Sequence, residues 1–131
     1  LVGSEMCIRD SPSILSIAGD SAIKLNNDNL ALELFGTLNE KNPQNVEYSL
    51  PYSQVLLKVG NLNKAAEVII KCLKSNSSNP SLLTNLAIIK SELGDYKEAE
   101  VLYLKVIKIT STQFLGYYNY ALFLYNQNRY L

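Results

Sequence analysis

The chain of 131 residues contains no histidine and no tryptophan, and it has only two cysteines, Cys7 and Cys72. Histidine is the commonest general base and metal ligand, so its absence removes the usual centre of an acid–base or metal site. Cys72 falls on an apolar helical stripe, where a small core residue is expected. No glycine-rich phosphate loop and no carboxylate pair on a packed face occurs either. The sequence therefore predicts no catalytic residue, no metal site and no cofactor in this segment.

Net charge and long apolar runs are also missing. Twelve Lys and Arg balance twelve Asp and Glu, and no basic cluster stands out that would favour nucleic acid or an anionic membrane. No apolar segment approaches the roughly 20 residues that span a bilayer. The apolar fraction of 47% and the charged fraction of 18% are typical of a folded globular chain. We therefore expect no nucleic-acid partner and no membrane insertion.

Residues 1–11 resemble no other part of the chain. Their back-translation resembles the transposase adapter used to prepare sequencing libraries, with Ser11 sharing a codon between adapter and native sequence; a native N terminus is the alternative. We exclude the segment from the fold argument. Its loss removes Glu5, Arg9 and Asp10 and leaves 11 basic and 10 acidic residues.

We expect the remainder to be an internal fragment of a longer reading frame. The only methionine, Met6, lies in the adapter-like segment, and the chain stops at Leu131 soon after a helix-turn signal. A signal peptide would have been lost with the true N terminus. The sequence therefore leaves the compartment undetermined, with the cytoplasm as the default.

One pattern returns every 34 residues through the rest of the chain, as expected for a stacked repeat protein. Apolar residues recur at helical spacing in two blocks per unit. Small residues recur at Gly19, Ser53, Ala87 and Ala121 and at Ala31, Ala65 and Ala99, and turn residues at Asn26, Gly60, Gly94 and Asn128. Asn and Gly suit the left-handed residue that ends a helix. Each unit is thus predicted to be a helical hairpin whose small residues allow close approach of its two helices.

Two residues depart from this pattern. Pro51 falls inside a predicted first helix, where proline removes a hydrogen bond and clashes with the preceding turn. The helix either starts late, near Ser49, or bends, and we favour the late start. Lys90 stands on an apolar stripe, and we expect its stem to pack while its ammonium reaches water.

The residues Leu93–Glu100, with Tyr103 following Ala99, resemble the tetratricopeptide repeat, as do Asn85-Leu86-Ala87 and Pro43. The resemblance frames repeats at 12–45, 46–79 and 80–113 and a truncated repeat at 114–131. It implies an all-α fold, an α-α superhelix (solenoid) of antiparallel helical hairpins with about 3.5 repeats. The family's frequent tryptophan is absent, and a related helical-hairpin repeat of similar period is the alternative.

The resemblance also implies a concave groove, lined by the first helices, that binds a peptide or partner segment. The candidate groove residues are Gln54, Leu57, Thr84, Asn85, Ile88, Tyr118, Asn119, Leu122 and Tyr125, with Ser16, Asp20, Leu50 and Ser91 on the same face. Some family members clamp a chaperone's terminal carboxylate. Here the corresponding positions carry Ser16, Asp20, Pro51, Ser81 and Asn85, of which only Asn85 matches, so we do not expect chaperone-tail binding.

Asn85 and Asn119 correspond to asparagines that, in arrays resembling the superhelix of O-linked N-acetylglucosamine transferase, bind the backbone of an extended peptide. An amide offers the donor and the acceptor that such binding needs. Ordinary contacts between helices are the other explanation for both residues. Tyr118 and Tyr125 are candidates for recognition, whereas Tyr117, Tyr120 and Tyr130 occupy core positions.

Two functions fit these expectations. The first is a protein interaction scaffold that binds a partner segment in the groove. The alternative is a non-catalytic recognition arm of a larger enzyme of glycosyltransferase, sulfotransferase or iron-dependent oxygenase type; secretion or envelope-assembly complexes are a third setting. The helix near 114–127 lacks a covering partner, which should expose Tyr117, Tyr120 and Leu124 and favour self-association.

Overall fold

The structure, a computed structural model, describes residues 11–128. The adapter assignment of residues 1–10 and the expected core position of Tyr130 lie outside this range. Within it the chain forms seven helices and no strand: α1 (Pro12–Lys24), α2 (Asp28–Lys41), α3 (Val46–Lys58), α4 (Leu62–Leu73), α5 (Pro80–Glu92), α6 (Tyr96–Ile109) and α7 (Phe114–Asn126). The all-α prediction is confirmed.

The helices pair in chain order and stack into a solenoid. α1 packs on α2, α3 on α4 and α5 on α6, and each hairpin then packs on the next through α2 with α3, α4 with α5 and α6 with α7. α3 also contacts α5 directly. The hairpins thus stack in chain order, and the predicted solenoid of helical hairpins is confirmed.

Turn residues at the predicted positions end the first helices. Asn26, Gly60, Gly94 and Asn128 all have left-handed backbone, with φ of 57°, 89°, 87° and 57°. Asparagine tolerates this conformation better than most side chains, and glycine adopts it without a steric penalty. Connections of only three residues, 25–27, 59–61 and 93–95, therefore suffice to reverse the chain within each hairpin.

Polar side chains at repeating positions close the helix ends. The side chain of Asn45 accepts a hydrogen bond from the Glu47 amide at 2.9 Å, and Asn79 accepts one from Leu82 at 3.1 Å. Just past the ends of the second helices, three residues spaced by 34 each donate a side-chain hydrogen bond to the backbone carbonyl four residues earlier. These bonds run from Asn42 to Leu38 at 3.2 Å, from Asn76 to Cys72 at 3.0 Å and from Thr110 to Val106 at 2.8 Å. These bonds satisfy backbone groups that a helix end leaves unpaired.

The small residues allow the close approach within hairpins. A Cβ atom at Gly19 would lie 2.6 Å from Cε2 of Phe35 on α2, closer than packed atoms tolerate. Ala31, Ala65 and Ala99 on the second helices are completely buried. Ala121 is exposed instead, because no helix within residues 11–128 follows α7 to cover it.

The largest core cluster lies between α3, α4 and α5. Ile69 and Cys72 of α4 pack with Leu82 and Ile89 of α5, and all four are fully buried. Cys72 is therefore the core residue that the stripe predicted, and its thiol is free. This cluster fixes the spacing between the second and third repeats.

The expected late start of the helix that contains Pro51 is wrong. α3 begins at Val46, so Pro51 is its sixth residue. Its first turn is held by Asn45, whose side chain accepts from Glu47 and whose carbonyl accepts from the Ser49 amide at 3.0 Å. The helix therefore starts before the proline, which leaves the Glu47 carbonyl without its usual amide partner.

Lys90 and α7 also differ in part from expectation. The Lys90 ammonium lies 2.9 Å from the Glu98 carboxylate, so it forms an ion pair within the hairpin instead of reaching only water. Tyr117 is exposed as predicted. Tyr120 and Leu124 are partly buried, because both pack on the α6 side and the Tyr120 hydroxyl bonds Glu100 at 2.9 Å. Self-association through α7 stays a prediction.

Ala99→Leu is expected to lower the free energy of unfolding by about 1–3 kcal/mol, because Ala99 is fully buried beside Ala87 and Tyr103 and cannot take a larger side chain without displacing them. Thermal or urea unfolding measures the change. Ala121→Leu is the matched control, since Ala121 occupies the Ala87 position of the next repeat but is exposed. Equal stability of the two variants would contradict close packing at Ala99.

Candidate functional site

A groove of about 260 Å³ runs across the first helices. α3, α5 and α7 supply most of its walls, and the end of α6 closes one side. The lining residues are Leu50, Gln54, Pro80, Ser81, Thr84, Asn85, Ile88, Val106, Thr110, Gln113, Leu115, Gly116 and Asn119. The groove thus spans parts of three repeats, which suits an extended ligand better than a compact one.

No residue that lines the groove carries a charge. Amides, hydroxyls and aliphatic side chains make up the whole surface. The same neutrality extends along α7, because residues 109–128 contain no Asp, Glu, Lys or Arg. Burial raises the pKa of Tyr103, with a smaller effect from Glu92, and burial raises the pKa of Tyr52, with smaller effects from Glu40 and Glu67. Neither tyrosine lines the groove.

Asn85 is held by a second buried residue at the junction of α3 and α5. Its side-chain amide donates a hydrogen bond to the Ser53 hydroxyl, which in turn donates to the Leu50 carbonyl at 2.9 Å. Asn85 is 5% exposed and Ser53 is completely buried. This bond ties the first helices of two successive repeats together.

Asn119 occupies the corresponding position one repeat later but has different surroundings. The residue that corresponds to Ser53 is now Ala87, which has no hydroxyl. Asn119 is partly buried in the groove wall, and no group within residues 11–128 hydrogen bonds its side-chain amide. The two asparagines therefore have unequal capacity to bind a ligand.

Gly116 marks the place where α7 comes close to the end of α6. Repeats two and three carry Tyr48 and the fully buried Leu82 at this position. A Cβ atom at Gly116 would lie 3.0 Å from the Thr110 hydroxyl, so α7 sits close to the end of α6 at this point. Contact between α5 and α7 is slighter than the direct packing of α3 on α5.

The structure brings five of the predicted groove residues together: Gln54, Thr84, Asn85, Ile88 and Asn119. Leu50, which the sequence also placed on this face, joins them. Leu57 packs against the core cluster of α3 to α5 instead. Tyr118, Leu122 and Tyr125 are exposed on α7 outside the groove lining. On α1, Asp20 is exposed and Ser16 is partly buried, and neither residue lines the groove.

Sequence reasoning missed the end of the groove formed by Val106, Thr110, Gln113 and Gly116. These residues come from the end of a second helix and the start of the next first helix, and helical face analysis of the first helices alone does not reach them. The 34-residue spacing of Asn42, Asn76 and Thr110 was the signal that could have drawn attention to this junction.

A second cleft, of about 450 Å³, lies where α4, α5 and α6 meet, with Ile70, Leu86, Val101 and Leu102 among its walls. The ion pair between Lys90 and Glu98 crosses one side of it. Elsewhere in the described range, no cluster of three acidic or cysteine side chains is placed to hold a metal ion. None of the helices of residues 11–128 combines the length and apolarity needed to cross a bilayer.

Comparison with known proteins shows that this architecture is similar to that of tetratricopeptide repeat structures. The tetratricopeptide repeat family profile matches residues 80–113. MamA has a similar structure, with a TM-score of 0.80 at 14% identity over 97% of this chain and 75% of MamA. A tetratricopeptide repeat protein from Parabacteroides merdae ATCC 43184 gives a TM-score of 0.83 at 20% identity, over 91% of this chain and 46% of that chain.

A third similar structure is the first tetratricopeptide repeat domain of Spaghetti (RPAP3) bound to the HSP90 peptide SRMEEVD. Its TM-score is 0.78 at 13% identity, over 89% of this chain and 93% of that chain. No curated protein sequence matches the chain significantly. At these identities the similarity shows the fold, and residues 80–113 carry the match to the family.

Proposed function

We propose that this chain, whose fold is that of tetratricopeptide repeat arrays, is a protein interaction scaffold that binds an extended segment of a partner protein in its groove. The observation that carries the proposal is the groove itself, which crosses the first helices of three successive repeats. Extended peptides suit such a surface because their backbone groups and alternate side chains meet helices one after another. The segment acts by binding, without a chemical step of its own.

The kind of residue in the groove supports a binding role. Gln54 is exposed and Thr84 partly exposed, so their polar groups can meet a ligand. Ile88 is 37% exposed and offers an apolar contact in the middle of the groove. A few oriented polar groups beside apolar surface are typical of recognition sites.

The ligand differs from that of the similar domain that binds an acidic HSP90 peptide. Recognition of carboxylates relies on Lys and Arg, which give charge-assisted hydrogen bonds. No Lys or Arg lines this groove. We therefore propose that the groove of this chain binds a segment of different chemistry, without acidic groups.

A peptide selection tests this proposal. Short random peptides displayed on phage are selected on the immobilised chain, and the affinity of the enriched peptides is measured for two variants. Ile88→Lys places a long charged side chain in the groove and is expected to weaken binding by about tenfold or more. Leu104→Lys is the matched control, since Leu104 is 46% exposed on α6, about 200° around that helix from Val106.

Unchanged affinity for Leu104→Lys together with the loss for Ile88→Lys supports binding in the groove. Circular dichroism establishes that both variants are folded. If the enriched peptides bind Ile88→Lys as tightly as the unchanged chain, the groove is not the binding surface and the proposal is wrong.

A further inference from the structure

We infer that a second copy of this chain pairs with it through α7, along a stripe formed by Leu115, Tyr118, Leu122 and Tyr125, with the two α7 helices antiparallel. This α7 stripe gives the chain an interface that goes beyond the proposed function, because the pairing needs no peptide in the groove. Of the four residues only Leu115 also lines the groove.

The α7 stripe has the spacing of a seam between two helices. Its residues follow one another at intervals of three, four and three, as do the apolar positions that join the helices of a coiled coil. This spacing places the four side chains within about 80° of one another around the helix. Leu115 is 56% exposed, Tyr118 60%, Leu122 44% and Tyr125 61%. α7 therefore presents a continuous apolar ridge to solvent.

The stacking of hairpins does not cover this stripe. The corresponding residues of α5, one repeat earlier, are Ser81, Thr84, Ile88 and Ser91. α5 is packed against α4 and α6, yet Ser81 and Ile88 are exposed and Thr84 and Ser91 are partly exposed. Further helices packed on α7 in the same way would leave the α7 stripe in solvent. A separate molecule is therefore needed to bury it.

Charge favours a second copy as that molecule. In a two-fold symmetric pair each residue faces the same surface of its partner, so a charged stripe would repel itself. Residues 109–128 contain no Asp, Glu, Lys or Arg. The corresponding stripes of α1 and α3 each contain a carboxylate, that of Asp20 and of Glu47. The charge-free α7 stripe is the better suited to self-pairing.

The sizes of the side chains favour the antiparallel direction. With the two stripes antiparallel, Leu115 lies opposite Tyr125 of the second copy, and Tyr118 lies opposite its Leu122. Each large ring then meets a smaller aliphatic side chain, which fills an interface evenly. A parallel pair would place tyrosine against tyrosine and leucine against leucine. The tyrosine hydroxyls can remain in water at the edge of the interface.

The interface is small, so we expect a weak dimer. Four half-exposed side chains of this size contribute roughly 100 Å² each, and with flanking residues the two copies bury about 1,000 Å² in total. This area is at the lower end for specific interfaces, and we expect a dissociation constant on the order of 10–100 μM. The association should therefore depend on concentration in a measurable range.

Sedimentation equilibrium of the full chain between about 5 and 500 μM tests the pairing. We expect the apparent mass to rise from the 14.6 kDa of one chain toward twice that value. Leu122→Lys places an ammonium group in the seam and is expected to weaken association by about tenfold or more. Val101→Lys is the matched control, since Val101 is 65% exposed on α6. Circular dichroism establishes that both variants are folded.

Tyr117→Lys identifies the face of α7 that is used. Tyr117 is 50% exposed, about 120° around the helix from the middle of the α7 stripe, and its substitution should leave association unaltered. If Tyr117→Lys abolishes association and Leu122→Lys does not, the chain associates through another face and the inference is wrong. A chain that stays monomeric at about 500 μM also overturns it.

Cysteine cross-linking tests the direction of the pair. Copies with Tyr118→Cys are mixed with copies with Leu122→Cys, both in a Cys7→Ser background that leaves only the buried Cys72, and are oxidised with diamide. Antiparallel pairing should give disulfides between the two variants in excess over disulfides within each variant, because only opposed residues come close enough. An excess of disulfides within each variant would contradict the antiparallel arrangement.

Discussion

Phe35→Ala is expected to lower the free energy of unfolding by about 3–5 kcal/mol, the usual cost of deleting a fully buried aromatic ring. Phe35 is 0% exposed, and its ring fills the space that Gly19 leaves on α1. Removal of the ring loses its burial and leaves a cavity that two rigid helices cannot easily close. Since a folded domain is stable by only about 5–15 kcal/mol, this is a large share of the total.

The loss should be local to the first hairpin. In a solenoid each repeat contacts only its neighbours, so α1 depends on α2 for its packing. Amide hydrogen exchange should therefore rise most in α1 and least in α5 and α6. Phe114→Ala is the matched control, because Phe114 is 83% exposed at the start of α7. A loss for Phe35→Ala no larger than that of the control would refute the tight contact with Gly19.

Asn85→Asp is expected to cost about 3 kcal/mol at neutral pH, because it places a carboxylate in a site that is 5% exposed and has no basic partner. The substitution keeps the size of the side chain, so the effect is electrostatic. It also replaces the amide donor to Ser53 by an acceptor, while the Ser53 hydroxyl already donates to Leu50. Urea unfolding of the variant and the unchanged chain gives the difference.

The pH dependence of this loss has a definite sign. Burial raises the pKa of the new carboxyl in the folded state above its ordinary value of about 3.9. The protonated acid can donate to Ser53 again, so the loss is full above the raised pKa and shrinks as the pH falls toward about 4. Asn119→Asp should show a smaller loss with a weaker pH dependence, because Asn119 is only partly buried. A loss for Asn85→Asp that does not depend on pH would contradict a buried carboxylate as its cause.

The repetition in the sequence was sufficient to predict the architecture. The positions of Asn26, Gly60 and Gly94 predicted left-handed turns, and small residues such as Gly19 predicted close contacts within hairpins. Both kinds of feature are determined by neighbouring residues and by a period that averages over several copies. Local errors in a single repeat therefore do not change the predicted fold.

Features that join different repeats were harder to predict. The bond between Asn85 and Ser53 links residues 32 positions apart on two helices, and only the packing of α3 on α5 brings them together. Within a single hairpin, the ion pairs of Lys90 with Glu98 on α6 and with Asp95 just before that helix also depend on the packing of two helices. Pro51 shows a related limit: the strength of the Asn45 cap outweighed the helix-breaking tendency of a proline six positions later.

The candidate groove was predicted in part. Helical face analysis identified Gln54, Thr84, Ile88 and Asn119, because these residues project from the middle of first helices. It also included Tyr118 and Tyr125, which are exposed on α7 outside the groove lining. The positions of lining residues at helix ends depend on how closely successive repeats stack, and the sequence pattern does not record that distance.

The capping residues have a consequence for how such a chain can change in length. Asn45 and Asn79 both end a repeat and both cap the helix that begins the next one. If the gene segment for residues 46–79 were copied in tandem, Asn79 would precede a new Val46 and could cap it as Asn45 does. Each copied unit would bring its own turn at Gly60 and its own closing side chain at Asn76. The array can therefore gain or lose whole units by a single genetic event, and the face formed by its first helices would lengthen with each unit gained.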